Sequence, residues 1–410
     1  MLFRSTGVPD WVAQYQPGVP ATIDVPDEPL GALLRRAAAE GRDDVALEFF
    51  GATTTWRQLE DEVSRLAGAL VNRFGVRPGD RVALLLPNSP QHVVAFYAVL
   101  RVGGVVVEHN PLYTAPELTE MFADHGAKVA IAWDVAAPKI AGAGVTHLIG
   151  VNLLEAFPPL KRAALSLPIP KLRATRAKLH RPLPEATPWH QVLKGARLRA
   201  DHPEPAASDL AVIQYTSGTT GRVKGAMLSH HNLYANALQG AAWMKDARDG
   251  EETIYAVLPM FHAFGMTLYL TFGVLKRARI VLFPHFDVDM VLDVAKHRPP
   301  TVYCAVPPIY ERTALRAKER GISLRSARFC ISGAMALTDE VVELWESVSG
   351  GLLVEGYGLT ECSPVALGNP FWPTRRTGTV GVPFPSTLMR VVDPEDPTRE
   401  VDQGETGELL

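Results

Sequence analysis

Cysteine is scarce in this chain of 410 residues: Cys304, Cys330 and Cys362 are the only three. They are too widely spaced for a zinc pattern or a disulfide framework, which suits a reducing cytoplasm. An excess of one charge is lacking too. Lys and Arg number 41 against 44 Asp and Glu, a net charge of −3, so the chain as a whole carries no nucleic-acid footprint. Long apolar runs are missing. The best candidate, Met266 to Phe283, is broken by Lys276, Arg277 and Arg279, well short of the roughly 20 apolar residues a span needs. The opening Met1-Leu2-Phe3-Arg4-Ser5-Thr6 has no apolar core of a signal peptide. The expectation is a cytoplasmic protein, soluble or at most peripheral on the inner face of the cell membrane.

What is present is globular in texture, with 47% hydrophobic and 21% charged residues. The length exceeds one hydrophobic core, so at least two packed units are expected. Val82 to Leu86, Val105 to Val107 and Val129 to Ala132 read as buried strands. Gln91 to Arg101 and Ala115 to His125 read as the helices between them. This β-α-β alternation predicts an α/β fold with a mostly parallel sheet covered by helices. The pattern resumes at Leu210 to Gln214, Ile254 to Val257, Ile280 to Phe283, Val302 to Ala305, Phe329 to Ser332 and Leu352 to Glu355, giving a second sheet. The expected units are 1–200, 201–375 and a small β-unit over 376–410.

Residues 154–199 stand apart. Ten Lys and Arg between Lys161 and Arg199 alternate with Phe157, Leu160, Leu165, Leu167, Ile169, Leu172 and Leu179, and prolines cut the stretch into short pieces. Two readings stand. A basic, apolar-studded segment can lie on anionic lipid; a solvated arm joining two sheets has the same composition.

The densest chemistry lies in Tyr215-Thr216-Ser217-Gly218-Thr219-Thr220-Gly221-Arg222-Val223-Lys224-Gly225, directly after an apolar strand. Its glycines free the backbone to aim N–H groups at one point. Thr216, Ser217, Thr219 and Thr220 add hydroxyl donors, and Lys224 adds charge, as a polyphosphate cradle requires. It is not a Walker loop, because Lys224 is followed by Gly225 and Ala226 instead of Ser or Thr.

With Ala226, this segment resembles the signature of the adenylate-forming enzymes: acyl-CoA synthetases, luciferases and peptide-synthetase adenylation domains. The resemblance runs over nearly the whole chain. It implies two doubly wound sheets followed by a small distorted β-barrel. By the resemblance, Thr216, Ser217, Gly218, Thr219, Thr220, Gly221 and Lys224 hold ATP. Leu258-Pro259-Met260-Phe261-His262-Ala263-Phe264-Gly265 matches a segment in which a histidine gates or orients the acyl carboxylate. That role falls to His262, with Phe264 beside the substrate. The strand end Cys330-Ile331-Ser332-Gly333-Ala334-Met335 implies a wall for adenine and acyl chain made by Gly333, Ala334 and Met335. Glu355-Gly356-Tyr357-Gly358-Leu359-Thr360-Glu361 offers a ring, a hydroxyl and a carboxylate together. Tyr357 can stack on adenine, Thr360 can donate to the α-phosphate, and Glu361 is a hard oxygen ligand for Mg²⁺. Glu355, Gly356 and Gly358 complete the nucleotide wall, and Gly358 also faces the acid. His230 and His231, which follow Ser229, read as cap or surface residues.

The implied reaction is attack of a carboxylate on the α-phosphorus of ATP, then displacement of AMP by the thiol of CoA. Thr216, Lys224, His262, Thr360 and Glu361 are the expected catalytic set. The basic arm resembles the insertion of bacterial long-chain fatty-acyl-CoA ligases, so the expected acid is a long-chain fatty acid. A fatty-acyl-AMP ligase, an aryl-acid CoA ligase and a non-catalytic lipid-binding, membrane-docking protein remain open, as does a homodimer. The ribose-binding aspartate and the small domain with its catalytic lysine would lie beyond residue 410. The expectation is therefore a large N-terminal domain with impaired activity on its own.

Overall fold

The computed structural model describes residues 9–216 and 223–410. The first sheet has seven strands, in the order Thr187–Pro188, His147–Val151, Val129–Trp133, Arg81–Leu85, Val105–Glu108, Leu210–Thr216 and Lys224–Ser229. All its pairings are parallel except the last, a hairpin in which Thr216 faces Lys224. Continuous apolar runs form the central strands because both faces are covered by helices. The helix Pro90–Arg101 shows why it sits at the centre: every residue from Gln91 to Leu100 is buried. Ser89 caps it and Pro90 fixes its first turn. Helix Trp56–Asn72 starts with a Thr55–Gln58 capping box and buries Leu59, Val63, Leu66 and Leu70, one face at helical spacing.

The second sheet combines two ladders. Thr253–Ala256, Arg279–Leu282, Val45–Phe49 and Ala52–Thr55 form one; Cys330–Ser332, Leu353–Gly358, Val365–Gly368 and Val382–Pro383 form the other. The expected strand at 302–305 makes isolated bridges, Val302 to Ile254 and Phe329, and Ala305 to Ser332, which join the ladders. Each sheet draws strands from both sides of residue 200: 210–229 enters the first, 45–55 the second. The fold is the expected α/β class. Its expected barrel is, among the described residues, an open three-stranded antiparallel sheet ordered Asp396–Glu400, Val391–Asp393, Glu408–Leu409.

The basic arm folds into two short helices, Pro159–Leu165 and Pro170–Leu179, neither with a buried residue. No helix among the described residues is long and apolar enough to cross a membrane.

Candidate active site

Strand ends from both sheets meet at a crevice of about 540 Å³. From the first sheet come Thr216 and Lys224, which close the base of the expected phosphate loop. Thr216 Oγ1 donates to the Lys224 carbonyl at 3.4 Å. One residue earlier, the Tyr215 hydroxyl donates to Asp124 at 2.6 Å, tying this base to the helix Ala115–His125. Lys224 is exposed, with no ion-pair partner among the described residues. Ser217, Gly218, Thr219, Thr220 and Gly221 lie outside the described residues.

From the second sheet come Gly333 and Ala334 after one strand, and Gly356, Tyr357 and Gly358 at the end of the next. Ala334 has φ +65°, a left-handed conformation uncommon for a residue with a side chain. Thr360 and Glu361 follow in a short 3₁₀ turn, Thr360–Cys362. Glu361 is the single carboxylate lining the crevice among the described residues, and it is exposed there. Gly358 has a steric reason: a Cβ there would lie 2.0 Å from the Pro364 carbonyl oxygen.

The third contribution is the turn at His262. Its Nδ1 accepts from the Phe264 N–H at 3.3 Å, capping the short helix Ala263–Gly265. In the neutral ring this places the proton on Nε2, a tautomer inferred from that bond. Desolvation by the surrounding walls pushes the His262 pKa below its ordinary value, although part of the ring stays open to solvent at the mouth. At neutral pH His262 is therefore an uncharged N–H donor. A π-helical turn, Met266–Phe272, follows and is buried throughout; such turns concentrate at functional sites.

Phe264, Ile331 and Val365 are shared between the crevice and a small apolar pocket of about 30 Å³ behind it. Trp243 and Phe384 stack in that pocket with ring centroids 4.5 Å apart. Two residues expected in the site do not line the crevice. Met335 is exposed beside it, and Glu355 is buried, with burial pushing its carboxyl pKa up. Sequence reading also missed lining residues. Ala263 and Leu359 sit inside motifs already singled out, whereas Pro364 and Val365 follow a motif and carry no polar signal. His230 is no surface residue: it is fully buried, its Nδ1 accepting from the Leu30 N–H at 3.3 Å.

A hydroxyl and a lysine at a loop base, an aromatic ring, a hydroxyl and a carboxylate at parallel strand ends define a nucleotide-binding enzyme crevice on an α/β scaffold. The sequence profile of the AMP-binding enzyme family matches residues 34–410, and the chain belongs to that family. A protein of Bacillus subtilis named long-chain-fatty-acid–CoA ligase is 33% identical over 400 residues, 94% of this chain and 69% of that protein. One of the same name from Salmonella typhimurium is 34% identical over 409 residues, 97% of this chain and 72% of the relative. Among solved structures, apo MatB from Rhodopseudomonas palustris is 28% identical, with TM-score 0.74, covering 92% of this chain and 69% of its own. A long-chain-fatty-acid-CoA ligase from Archaeoglobus fulgidus shares the fold, with TM-score 0.79 at 24% identity, covering 97% of this chain and 76% of its own.

Proposed function

We propose that this protein activates a long-chain fatty acid with ATP, forming an acyl adenylate and pyrophosphate, and then passes the acyl group to the thiol of CoA. The observation that carries the reading is the meeting of Thr216, Lys224, His262, Tyr357, Thr360 and Glu361 in one crevice. The relatives' names support the choice of acid and acceptor. Little covalent chemistry falls to the protein; positioning and charge stabilisation carry the reaction. Lys224 faces the phosphates, Thr360 donates to the α-phosphate, and Tyr357 lies against adenine, with Gly333, Ala334 and Gly356 as the backbone wall. His262, uncharged and donating through Nε2, orients the attacking carboxylate. The apolar pocket behind Phe264 takes the start of the acyl chain.

Magnesium fits this crevice as a companion of the nucleotide. No cluster of three or more metal-ligating side chains exists among the described residues, and one carboxylate plus phosphates is an ordinary Mg²⁺ environment. Glu361 would hold the ion, which would supply charge to the phosphate oxygens.

The test is acid-dependent pyrophosphate release over fatty acids of graded chain length, with acetate and benzoate as controls. Preference for long chains supports the reading. Preference for acetate or benzoate overturns the choice of acid, and release of phosphate from the γ position overturns the reaction. Acyl adenylate accumulating without transfer to CoA marks a fatty-acyl-AMP ligase.

A second reading concerns the arm. Leu160 is 86% exposed, and Leu167 and Ile169 are also exposed, among Lys161, Arg162, Lys171 and Arg173. Exposed apolar side chains ringed by bases suit peripheral contact with an anionic bilayer. Cosedimentation with phosphatidylglycerol vesicles, weakened by salt and by Leu160→Glu, is the expected result. Equal recovery with neutral phosphatidylcholine vesicles would remove the electrostatic part of the reading.

A further inference from the structure

The turn that presents His262 is fastened from the first sheet by two buried amide side chains. Asn88, just beyond the strand Arg81–Leu85, is 4% exposed. Its Nδ2 donates to the Ala256 carbonyl at 2.9 Å and the Leu258 carbonyl at 2.7 Å, and its Oδ1 accepts from the Met260 N–H at 2.7 Å. Gln214, two residues before Thr216, donates Nε2 to the Phe261 carbonyl at 2.6 Å. Four peptide groups between Ala256 and Phe261 are thus held by side chains that belong to the other sheet. The same turn continues outward. The His262 carbonyl accepts from the Met266 N–H at 2.9 Å, and Thr267 Oγ1 donates to the Ser363 carbonyl at 2.7 Å, next to the Thr360–Cys362 turn. Neither amide lines the crevice.

We infer that Asn88, seconded by Gln214, is a positioning residue: it fixes the 256–261 turn and so sets where the His262 imidazole meets the acid substrate. The inference rests on the acid-activating reading of the crevice. Its physical basis is geometric. An amide offers two donors and an acceptor from one planar group, and here it uses both donors and the acceptor on one turn. Asn88→Asp keeps the shape but exchanges donation for repulsion at both carbonyls. Asn88→Ala removes all three bonds. A turn released from them lets His262 drift, and a shift on the order of 1 Å in a reacting geometry costs up to about a hundredfold in rate.

The experiment combines two readouts. The first is the imidazole proton NMR signal of His262, assigned by its loss in His262→Ala, and followed against pH in the unaltered chain, Asn88→Asp, Asn88→Ala and Gln214→Met. The expected result is a moved signal that titrates closer to the ordinary histidine value in all three variants, with circular dichroism unchanged. Where Asn88→Ala does not fold, the isosteric Asn88→Asp and the independent Gln214→Met carry the readout. The second readout is acid-dependent pyrophosphate release. Asn88→Asp should raise KM for the acid about tenfold or more with KM for ATP unchanged. In a His262→Ala background it should change nothing further, because residues acting through one group are non-additive. An unmoved His262 signal, or losses that add to those of His262→Ala and fall equally on ATP, overturns the positioning role. Absence from the unaltered chain of both acid-dependent pyrophosphate release and ATP binding overturns the functional reading instead, while the NMR readout still reports on the turn.

Discussion

Lys224, His262 and Glu361 line the crevice as one cation, one neutral donor and one carboxylate, and that division of charge underlies the roles proposed for them. On the proposed reading, Lys224 attracts the triphosphate as a point charge. Glu361 would be repelled by the phosphates unless a cation lies between, and the proposed reading places Mg²⁺ there. Glu361→Gln keeps the size and removes the charge. It should lower acid-dependent pyrophosphate release about 10- to 100-fold and raise the Mg²⁺ concentration giving half-maximal rate. An unchanged Mg²⁺ dependence would separate Glu361 from the metal. Lys224→Met should mainly raise KM for ATP, whereas His262→Ala should mainly raise KM for the acid. Both are read from initial rates with one substrate varied at a time, and the opposite assignment would exchange the two roles.

At the level of elements, the site depends on tight backbone approach as much as on side chains. A Cβ on Gly265 would lie 2.0 Å from the Pro259 carbonyl oxygen, so the turn bearing His262 closes only because residue 265 has none. Gly265→Ala should lower stability by about 1–3 kcal/mol and weaken acid binding together, measured by denaturant unfolding and by KM for the acid. A variant stable and active as the parent would mean that the turn is softer than its packing indicates. These elements differ in how legible they were. Val105–Val107, in the strand Val105–Glu108, and Val129–Trp133 are continuous apolar runs, and the identity of these strands follows from local pattern alone. The strand Lys224–Ser229 is Lys-Gly-Ala-Met-Leu-Ser, with little β-branched character, and its strand state comes from pairing with Leu210–Thr216. Val45–Phe49 joins the second sheet only through pairing with Arg279–Leu282, far along the chain. The motif residues at the crevice were readable because their chemistry is dense. Asn88 was not: a lone asparagine gives no local sign of partners some 168 residues away.

Across the whole molecule, several histidines are folded into the core as neutral rings, and this sets how the protein responds to acid. His125 accepts from the Ala127 N–H through Nδ1 at 3.0 Å, which leaves its Nε2–H to face His109 Nε2 at 3.1 Å. Burial, with the neighbouring ring adding to it, pushes His109 down to about 3; burial pushes His125 down to about 4. His230 falls from 6.5 to about 4 by burial, opposed by Asp209. Between 6.5 and 4 the unfolded chain binds protons that the folded chain refuses, so stability is full above 6.5 and declines as pH drops toward 4. For His230 alone the decline is on the order of 3 kcal/mol. Thermal unfolding followed from pH 7.5 to pH 4.5 should show a falling midpoint. His230→Asn can keep an acceptor for the Leu30 N–H but does not titrate, so its midpoint should fall less steeply over the same interval. Parallel curves for the two proteins would mean that His230 takes up its proton over the same pH range in the folded as in the unfolded chain, and the acid response would then have to come from the His109–His125 pair and the carboxylates.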